Sequence, residues 1–439
     1  MAGKRIRALI IAEAANPEWV SVPLVGWSHA RALGEQVDAH VVTQVRNREA
    51  IERFGWTEGQ EFTSLDTEFV ARGLWRLGEA IRGGKGKGWT TLQAVGLPSY
   101  YAFETLLAKE FGPRLRAGEF DVVHRVTPLS PTQPSLLSLP QLRGGTPFVI
   151  GPLNGGVPWP RQFDAARRAE REWLSYVRGA YRLLPFYRST LARTDALIIG
   201  SQDTLAQVPA KYRDKCVYVP ENAIAPERFP LERTIEVPEG PLRVAFVGRL
   251  VPYKGCDMLI EALAPAVKRG DVVIDVYGDG PEMGALRALR ERLGVVDGVR
   301  LDGWVPHEEL HTRLSEASLF VFPSIREFGG GVVLEAMACG LIPVVVEYGG
   351  PAELVTEDTG YLVPLGSREE LVARFRAQVD AILAKPREEL VSMAESGRRR
   401  VEQLFTWEAK ARQTVAVYEW VLGRRGKPDF GVPLMRGPE

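Results

Sequence analysis

The sequence predicts an α/β protein of two doubly wound, Rossmann-like domains. Three observations carry that expectation. Short β-branched runs alternate with longer amphipathic stretches from end to end, most of the runs are continuously apolar, and 439 residues are more than one ordinary core serves. Continuous apolar runs, as opposed to alternating ones, mark parallel strands covered by helices on both faces.

In the N-terminal half the strand-like runs fall at Ala8–Ala12, Asp38–Val42, Asp121–Val126, Pro147–Pro152, Ala196–Ser201 and Cys216–Pro220. In the C-terminal half they fall at Arg243–Val247, Val272–Tyr277, Val299–Trp304, Leu319–Pro323, Ile342–Val346 and Tyr361–Val363. The βαβα alternation therefore occurs twice. The segment PLERTIEVPEGP, Pro230–Pro241, is rich in proline and charge, and a fresh strand–loop–helix unit follows it. Domains are expected at 1–235 and 236–405. A helical stretch within 406–425 follows the completed second sheet and is able to pack back on the N-terminal domain, and 426–439 reads as an irregular tail. Gly83–Gly88, GGKGKG, reads as a mobile loop. Two such domains are expected to face each other across a cleft at the carboxyl ends of their strands, where open α/β sheets bind ligands.

Composition narrows the function classes. The formal net charge is zero, which gives no global argument for nucleic acid. Residues 1–237 hold 30 basic against 25 acidic side chains, and the remainder holds 25 against 30, so the N-terminal half is modestly basic. Cys216, Cys256 and Cys339 are widely spaced and odd in number, which argues against a disulfide framework or zinc site and suits a reducing cytoplasm. The opening apolar run is one strand long and is interrupted by Glu13, Asn16 and Pro17, unlike a signal peptide. No stretch reaches the ~20 apolar residues of a spanning helix, so any membrane contact is expected to be peripheral, at the inner face of the cytoplasmic membrane.

Three clusters follow the ends of C-terminal strands. In VGRLVPYKG, Gly248 ends a strand and Arg249 and Lys254 follow, a guanidinium fork and an ammonium suited to a diphosphate, although the pair also reads as solvated loop charge. In VYGDGPEMG, Gly278, Gly280 and Gly284 miss the dinucleotide fingerprint by one residue, and Pro281 reads as a first-turn helix residue capped by Asp279 or Gly280. A tight strand-to-helix turn explains that cluster as well as a ligand does. In PSIREFGGGVVLEAMACG, a strand leads to Glu327, then Gly329, Gly330 and Gly331, then a helix carrying Val332 and Glu335. The glycines bare helix N-terminal amides, a ready anion site. Carboxylates beside such a turn repel phosphate unless they accept hydrogen bonds from sugar and ribose hydroxyls. No D-x-D pair occurs to hold a divalent metal, and the two cations with the helix N-terminus are able to neutralise a diphosphate themselves; no cofactor or metal is expected.

The pattern GRL-x-x-x-KG, then GDGPE, then Glu327-x7-Glu335 ahead of EAMA-x-G resembles the family-four retaining glycosyltransferases of the GT-B fold, densely over about residues 240–365. The resemblance implies a metal-independent hexosyl transfer from a UDP- or GDP-sugar to a hydroxyl of a glycan or lipid-linked acceptor, in exopolysaccharide or cell-envelope glycan synthesis. It implies that Arg249 and Lys254 hold the diphosphate, that Glu335 accepts the ribose hydroxyls, and that Glu327 binds the sugar. The amides of Gly330, Gly331 and Val332 would meet sugar or phosphate oxygens, and the base would lie near Gly278–Glu282, including Asp279 and Gly280, and near Trp304 and Val305. The turn departs from the family in its Glu327-Phe328-Gly329-Gly330-Gly331 order, with Phe one place early and an extra glycine.

In the N-terminal half, DVVHRVTP is expected to present His124 and Arg125 at a strand end, His124 near the reacting sugar face, or else as a histidine satisfied by backbone. Asn154, Gly155 and Trp159 in GPLNGGVPWP suit the grip of a sugar ring, and equally an ordinary loop. Gly200-Ser201-Gln202 and Asn222 are weaker candidates. The loop after the first strand, AEAANPEWVSVPLVGW, lacks the paired glycines of the family. Residues 161–193 hold eight arginines against three acids among aromatic residues, which suits either an anionic membrane surface or a helix with its arginines in solvent. A sugar-nucleotide epimerase or hydrolase, or a non-catalytic nucleotide-sugar-binding protein, fits the same scaffold.

Overall fold

The computed structural model describes residues 5–68, 89–163, 183–232 and 234–431. Among these, the chain forms two compact units, the first from 5–156, 183–221 and 410–431, the second from 157–163 and 222–409. The Gly83–Gly88 segment and residues 164–182 of the basic segment lie outside the described residues.

The first unit holds a seven-stranded sheet. Its strands are β1 (Arg7–Ala12), β2 (Asp38–Gln44), β3 (Phe62–Leu65), β4 (Val122–Thr127), β5 (Phe148–Leu153), β6 (Ala196–Ile199) and β7 (Cys216–Tyr218). They lie in the order β3-β2-β1-β4-β5-β6-β7, all pairs parallel. Every residue of β4 and β5 is buried, as a central strand covered on both faces requires. Helix α1 (Val22–Gln36) and the long α2 (Trp89–Arg116) follow β1 and β3, and Phe103, Phe111 and Leu107 from α2 pack with Leu9, Ile11, Phe148 and Leu197 of the sheet. The edge strand β3 escapes a reading of apolar runs, because its four residues FTSL include two small hydroxylated ones.

The second unit repeats the plan with six parallel strands: β8 (Leu242–Val247), β9 (Val272–Tyr277), β10 (Val299–Gly303), β11 (Leu319–Phe322), β12 (Ile342–Val346) and β13 (Tyr361–Val363). The order is β10-β9-β8-β11-β12-β13. The helices are α3 (Cys256–Arg269), α4 (Met283–Arg292), α5 (His307–Leu314), α6 (Gly331–Ala338), α7 (Arg368–Leu383) and α8 (Arg387–Leu404). Val244, Phe246, Phe320, Phe322 and Val344 form the core with Leu259, Leu263 and Phe375. Strand order reverses between β8 and β11, which makes the loops leaving those two strands flank the position where open α/β sheets bind ligands.

The units divide at Glu221/Asn222, ahead of the proline-rich 230–241 segment. Ile224 explains this: its N–H bonds Phe405 O at 2.7 Å and its carbonyl accepts from Trp407 N, while Phe229 is buried in the second core. Helix α9 (Trp407–Val421) belongs to the first unit from Lys410 onward. Residues 426–431 contain neither helix nor strand.

Candidate nucleotide-sugar site

The loops leaving β8, β9, β10 and β11 interlock through their backbones. Gly248 N donates to Tyr277 O (3.1 Å), Leu250 N to Asp279 O (3.0 Å), and Gly278 N to Gly303 O (2.7 Å). Ile325 N donates to Tyr253 O at 3.0 Å, and Gly350 N, from the loop after β12, to Glu327 O at 3.0 Å. A Cβ on Gly280 would stand 2.3 Å from Leu250 O, and one on Gly278 only 1.9 Å from Gly248 O. These two glycines therefore let neighbouring loops meet backbone to backbone. Helix α4 starts at Met283 with Glu282 at the N-cap, so Pro281 lies in the preceding turn and not in the first helical turn expected from sequence.

Lys254 ends the 3-10 turn Pro252–Lys254 and forms an ion pair with Glu327 from the loop after β11. The two side chains are 17% and 18% exposed, and the ammonium lies 5.2 Å from the centre of the Phe322 ring. The Arg249 side chain is exposed, with no hydrogen bond or ion pair of its own among the described residues, while its carbonyl accepts from Val251 N at 3.0 Å. Gly330, at φ 60°, is the N-cap of α6, whose first turn carries no acidic residue and no side-chain cap. No acidic residue of the helix's own first turn therefore opposes its positive dipole end and amide donors. The Asn222 amide packs over Gly331, where a Cβ would come within 3.3 Å of its Nδ2. Glu335 lies one turn into α6, and its Oε1 meets His307 Nε2 at 3.0 Å. Sequence reasoning missed His307: only the register of α5 against α6 brings it there. Trp304 is 72% exposed and Val305 half-buried, beyond β10.

Arg249, Lys254, Gly278, Asp279, Gly280, Trp304, Glu327, Gly329 and Gly330 thus all lie in segments after four neighbouring strands of one sheet, with Gly331 and Val332 opening α6 and Glu335 one helical turn further. The N-terminal candidates behave differently. His124 is fully buried in the middle of β4. Its Nε2–H donates to Gly151 O and its Nδ1 accepts from the Tyr418 hydroxyl, each at 2.7 Å. Burial lowers its pKa to about 4, against the partial support of the Gly151 hydrogen bond. Arg125 is 1% exposed and donates to Gln133 O at 2.8 Å and to the Tyr100 hydroxyl at 3.3 Å. Both expectations need correcting for the same reason. β4 continues to Thr127, so these side chains point into the two helix layers and not out of a strand end.

Asn154 and Gly155 tie their own loop together. Asn154 Nδ2 donates to Glu221 Oε2 (2.9 Å), its Oδ1 accepts from Gly156 N (3.0 Å), and Gly155 N donates to Thr204 Oγ1 (2.8 Å). Ser201 caps the helix Gln202–Gln207. Trp159 is 8% exposed in the core of the second unit, with Tyr253 edge-on at 5.9 Å and the Arg326 guanidinium 4.8 Å from its ring centre. The sequence offered Trp159, with Asn154 and Gly155, as a grip for a sugar ring or as part of an ordinary loop; its ring is instead packed into the core of the second unit.

The family model for glycosyl transferases group 1 matches residues 228–400, which take in every one of the four loops. The second unit is a group 1 glycosyltransferase domain. The chain is 35% identical over 185 residues to a D-inositol 3-phosphate glycosyltransferase of Segniliparus rotundus, covering 41% of this chain and 40% of that protein. It is 27% identical over 344 residues to an MMP alpha-(1->4)-mannosyltransferase of Mycolicibacterium hassiacum, covering 76% and 78% of the two chains. The first of these matches thus spans less than half of the relative's length. Among solved structures, Anabaena Alr3699/HepE in complex with UDP superposes with a TM-score of 0.57 at 16% identity, over 94% of this chain and 98% of that one. At that identity the likeness is one of fold, and the fold of this chain is the GT-B type, two Rossmann-like domains. Among the described residues no helix is long and apolar enough to cross a membrane.

Proposed function

We propose that the group 1 domain binds a nucleoside-diphosphate sugar, a UDP- or GDP-sugar, and that the protein transfers the sugar with retained configuration to a hydroxyl of a glycan or lipid-linked acceptor. The observation that carries this reading is the meeting of Lys254 and Glu327 from the two loops that flank the strand-order reversal, beside the uncapped start of α6. Arg249, Lys254 and the α6 amides are suited to the charge that grows on the departing diphosphate, without a metal. Glu335 and Glu327 are suited to accept hydrogen bonds from ribose and sugar hydroxyls, and the exposed Trp304 offers a face to the base. In the reaction the bond from the anomeric carbon to the diphosphate oxygen breaks and a bond to the acceptor oxygen forms. The acceptor's proton passes to the diphosphate leaving group, so no side-chain base is required. With His124 and Arg125 internal, the chemistry rests on the second unit's groups.

The UDP held by the Anabaena protein favours a uridine donor, and the D-inositol 3-phosphate in the name of the Segniliparus relative favours a polyol or glycan acceptor. Envelope polysaccharide synthesis at the membrane's inner face is part of the same reading, with exposed Leu183 and Phe186 in the basic segment as its support.

The experiment screens UDP- and GDP-sugars by thermal shift and follows release of nucleotide in the wild type and in Lys254→Ala. A true donor at about 100 times its Kd stabilises the fold by about 2.7 kcal/mol. Lys254→Ala should keep the wild-type fold and lose on the order of 10²–10³ in turnover, as for the loss of one oxyanion donor. Full turnover in that variant would refute the assignment, and an epimerised nucleotide-sugar as the product would replace transfer by epimerisation.

A further inference from the structure

Lys254 cannot be read as a cation simply waiting for phosphate, because it is paired with Glu327 across the strand-order reversal. Resting on the function proposed above, we infer that Glu327 discriminates between a nucleotide that carries a sugar and one that has lost it. The two outcomes differ in what Glu327 can bond. A nucleotide-sugar brings hydroxyl donors that satisfy the carboxylate as Lys254 turns to the diphosphate. A bare nucleoside diphosphate brings none. Its own negative charge then competes with the carboxylate for one ammonium, and Glu327, 18% exposed, is left facing an anion with little water to screen it.

The loops around this pair are fastened backbone to backbone, so the exchange is a matter of side chains. Glu327 O accepts from Gly350 N, and Tyr253 O accepts from Ile325 N, which holds the main chain on both sides of the pair. The Lys254 ammonium lies over the Phe322 ring, 5.2 Å from its centre. The carboxylate therefore reclaims Lys254 once the sugar has left, weakening the hold on the product. The same residue that recognises the donor sugar thereby speeds release of the spent nucleotide.

A ligand binds more weakly by the amount its competitor stabilises the other state. For a half-buried ion pair somewhat stronger than an exposed one, removal of the carboxylate's charge should tighten nucleoside-diphosphate binding about tenfold. The test is calorimetric titration of wild type, Glu327→Gln, Lys254→Ala and the double variant with UDP, GDP and ADP. Glu327→Gln, close in shape, should bind one of them about tenfold more tightly than wild type while turning over nucleotide-sugar more slowly. The double variant should show no gain over Lys254→Ala. Wild type that binds a nucleotide while Glu327→Gln binds it equally or more weakly overturns the discriminator and leaves the donor site standing. Absence of binding by both proteins overturns both readings, and a gain that survives without Lys254 overturns the exchange. Equal melting temperatures for wild type and Glu327→Gln establish that the comparison is between folded proteins.

Discussion

Alanine at position 280 tests whether the glycines of VYGDGPEMG serve a ligand or the protein's own loops. The added methyl carbon would lie 2.3 Å from Leu250 O and 2.9 Å from both Leu250 C and Leu250 N. All three atoms are backbone and none can rotate away. Gly280 is outside the left-handed region, so the substitution isolates the collision from conformational strain. The loop it strikes is itself pinned, since Leu250 N is bonded to Asp279 O and Leu250 O accepts from Glu282 N. Overpacking typically costs 1–3 kcal/mol, and a rigid backbone target places this case at the upper end, about 2–3 kcal/mol. For a domain of this size that is a loss of roughly 4–12 °C in melting temperature. Gly284 supplies the internal control. It is exposed near the start of α4, and a Cβ there meets nothing within 4 Å. Gly284→Ala should raise stability by about 0.5–1 kcal/mol through helix propensity and reduced freedom of the unfolded chain. Scanning calorimetry of the two variants against wild type, with and without the best nucleotide from the thermal-shift screen, reads both effects. A Gly280→Ala protein that melts with wild type but has lost nucleotide binding would refute the packing argument and return the glycine to the ligand.

Two further outcomes are expected. A chelator should leave nucleotide-sugar turnover unchanged, because Arg249, Lys254 and the α6 N-terminus supply the positive charge; loss of turnover restored by Mn²⁺ or Mg²⁺ would refute the metal-free scheme. Burial lowers the pKa of His124 to about 4 from the usual 6.5 and pushes His29 well below it, so the unfolded chain takes up protons first as pH falls, and the stability present above about 6.5 is progressively lost toward pH 4. The melting temperature should therefore drop across that window, and drop less steeply in His124→Gln; equal slopes would refute the assignment.

The sequence made the fold legible where burial is total. Ile342–Val346, IPVVV, is a strand with no alternation, which only a doubly covered parallel sheet explains, and the structure buries all five residues. The short edge strand Phe62–Leu65 carried no such signal. Among the candidate site residues, strand-end position was readable for Arg249, Lys254 and Glu327, because each follows an apolar run that stops at a glycine or proline. His124 was misplaced although its strand was read at Asp121–Val126: it lies inside the fully buried Val122–Thr127 strand and not at its end. A polar side chain inside such a strand must find partners across the core, and the Tyr418 hydroxyl that satisfies His124 stands 294 positions away in sequence. Trp159 likewise drew its partners, Tyr253 and Arg326, from far along the chain. Local pattern fixes which strand a residue is on; it does not fix which distant element covers that strand.

The packing of the second unit's loops also bears on how the proposed chemistry is paid for. Electrostatic stabilisation of a leaving group is effective when the stabilising dipoles need not reorganise as charge develops. Here the main chain around the site is already committed: Gly248 to Tyr277, Gly278 to Gly303, Leu250 to Asp279, Ile325 to Tyr253, and Gly350 to Glu327. Each bond joins the ends of different strands or the segments that leave them, so shifting one breaks contacts on another. The N-cap of α6 is closely packed as well: a Cβ on Gly330 would stand 2.9 Å from Leu354 Cδ1 and 3.3 Å from Pro351 N. What remains free to adapt is the set of long side chains, exposed Arg249 and the partnered Lys254, Glu327 and Glu335. Differences between donors with the same diphosphate should then register as changes in which of these side chains pair with each other, at the scale of one or two hydrogen bonds. That is the scale on which sites distinguish one hydroxyl from another.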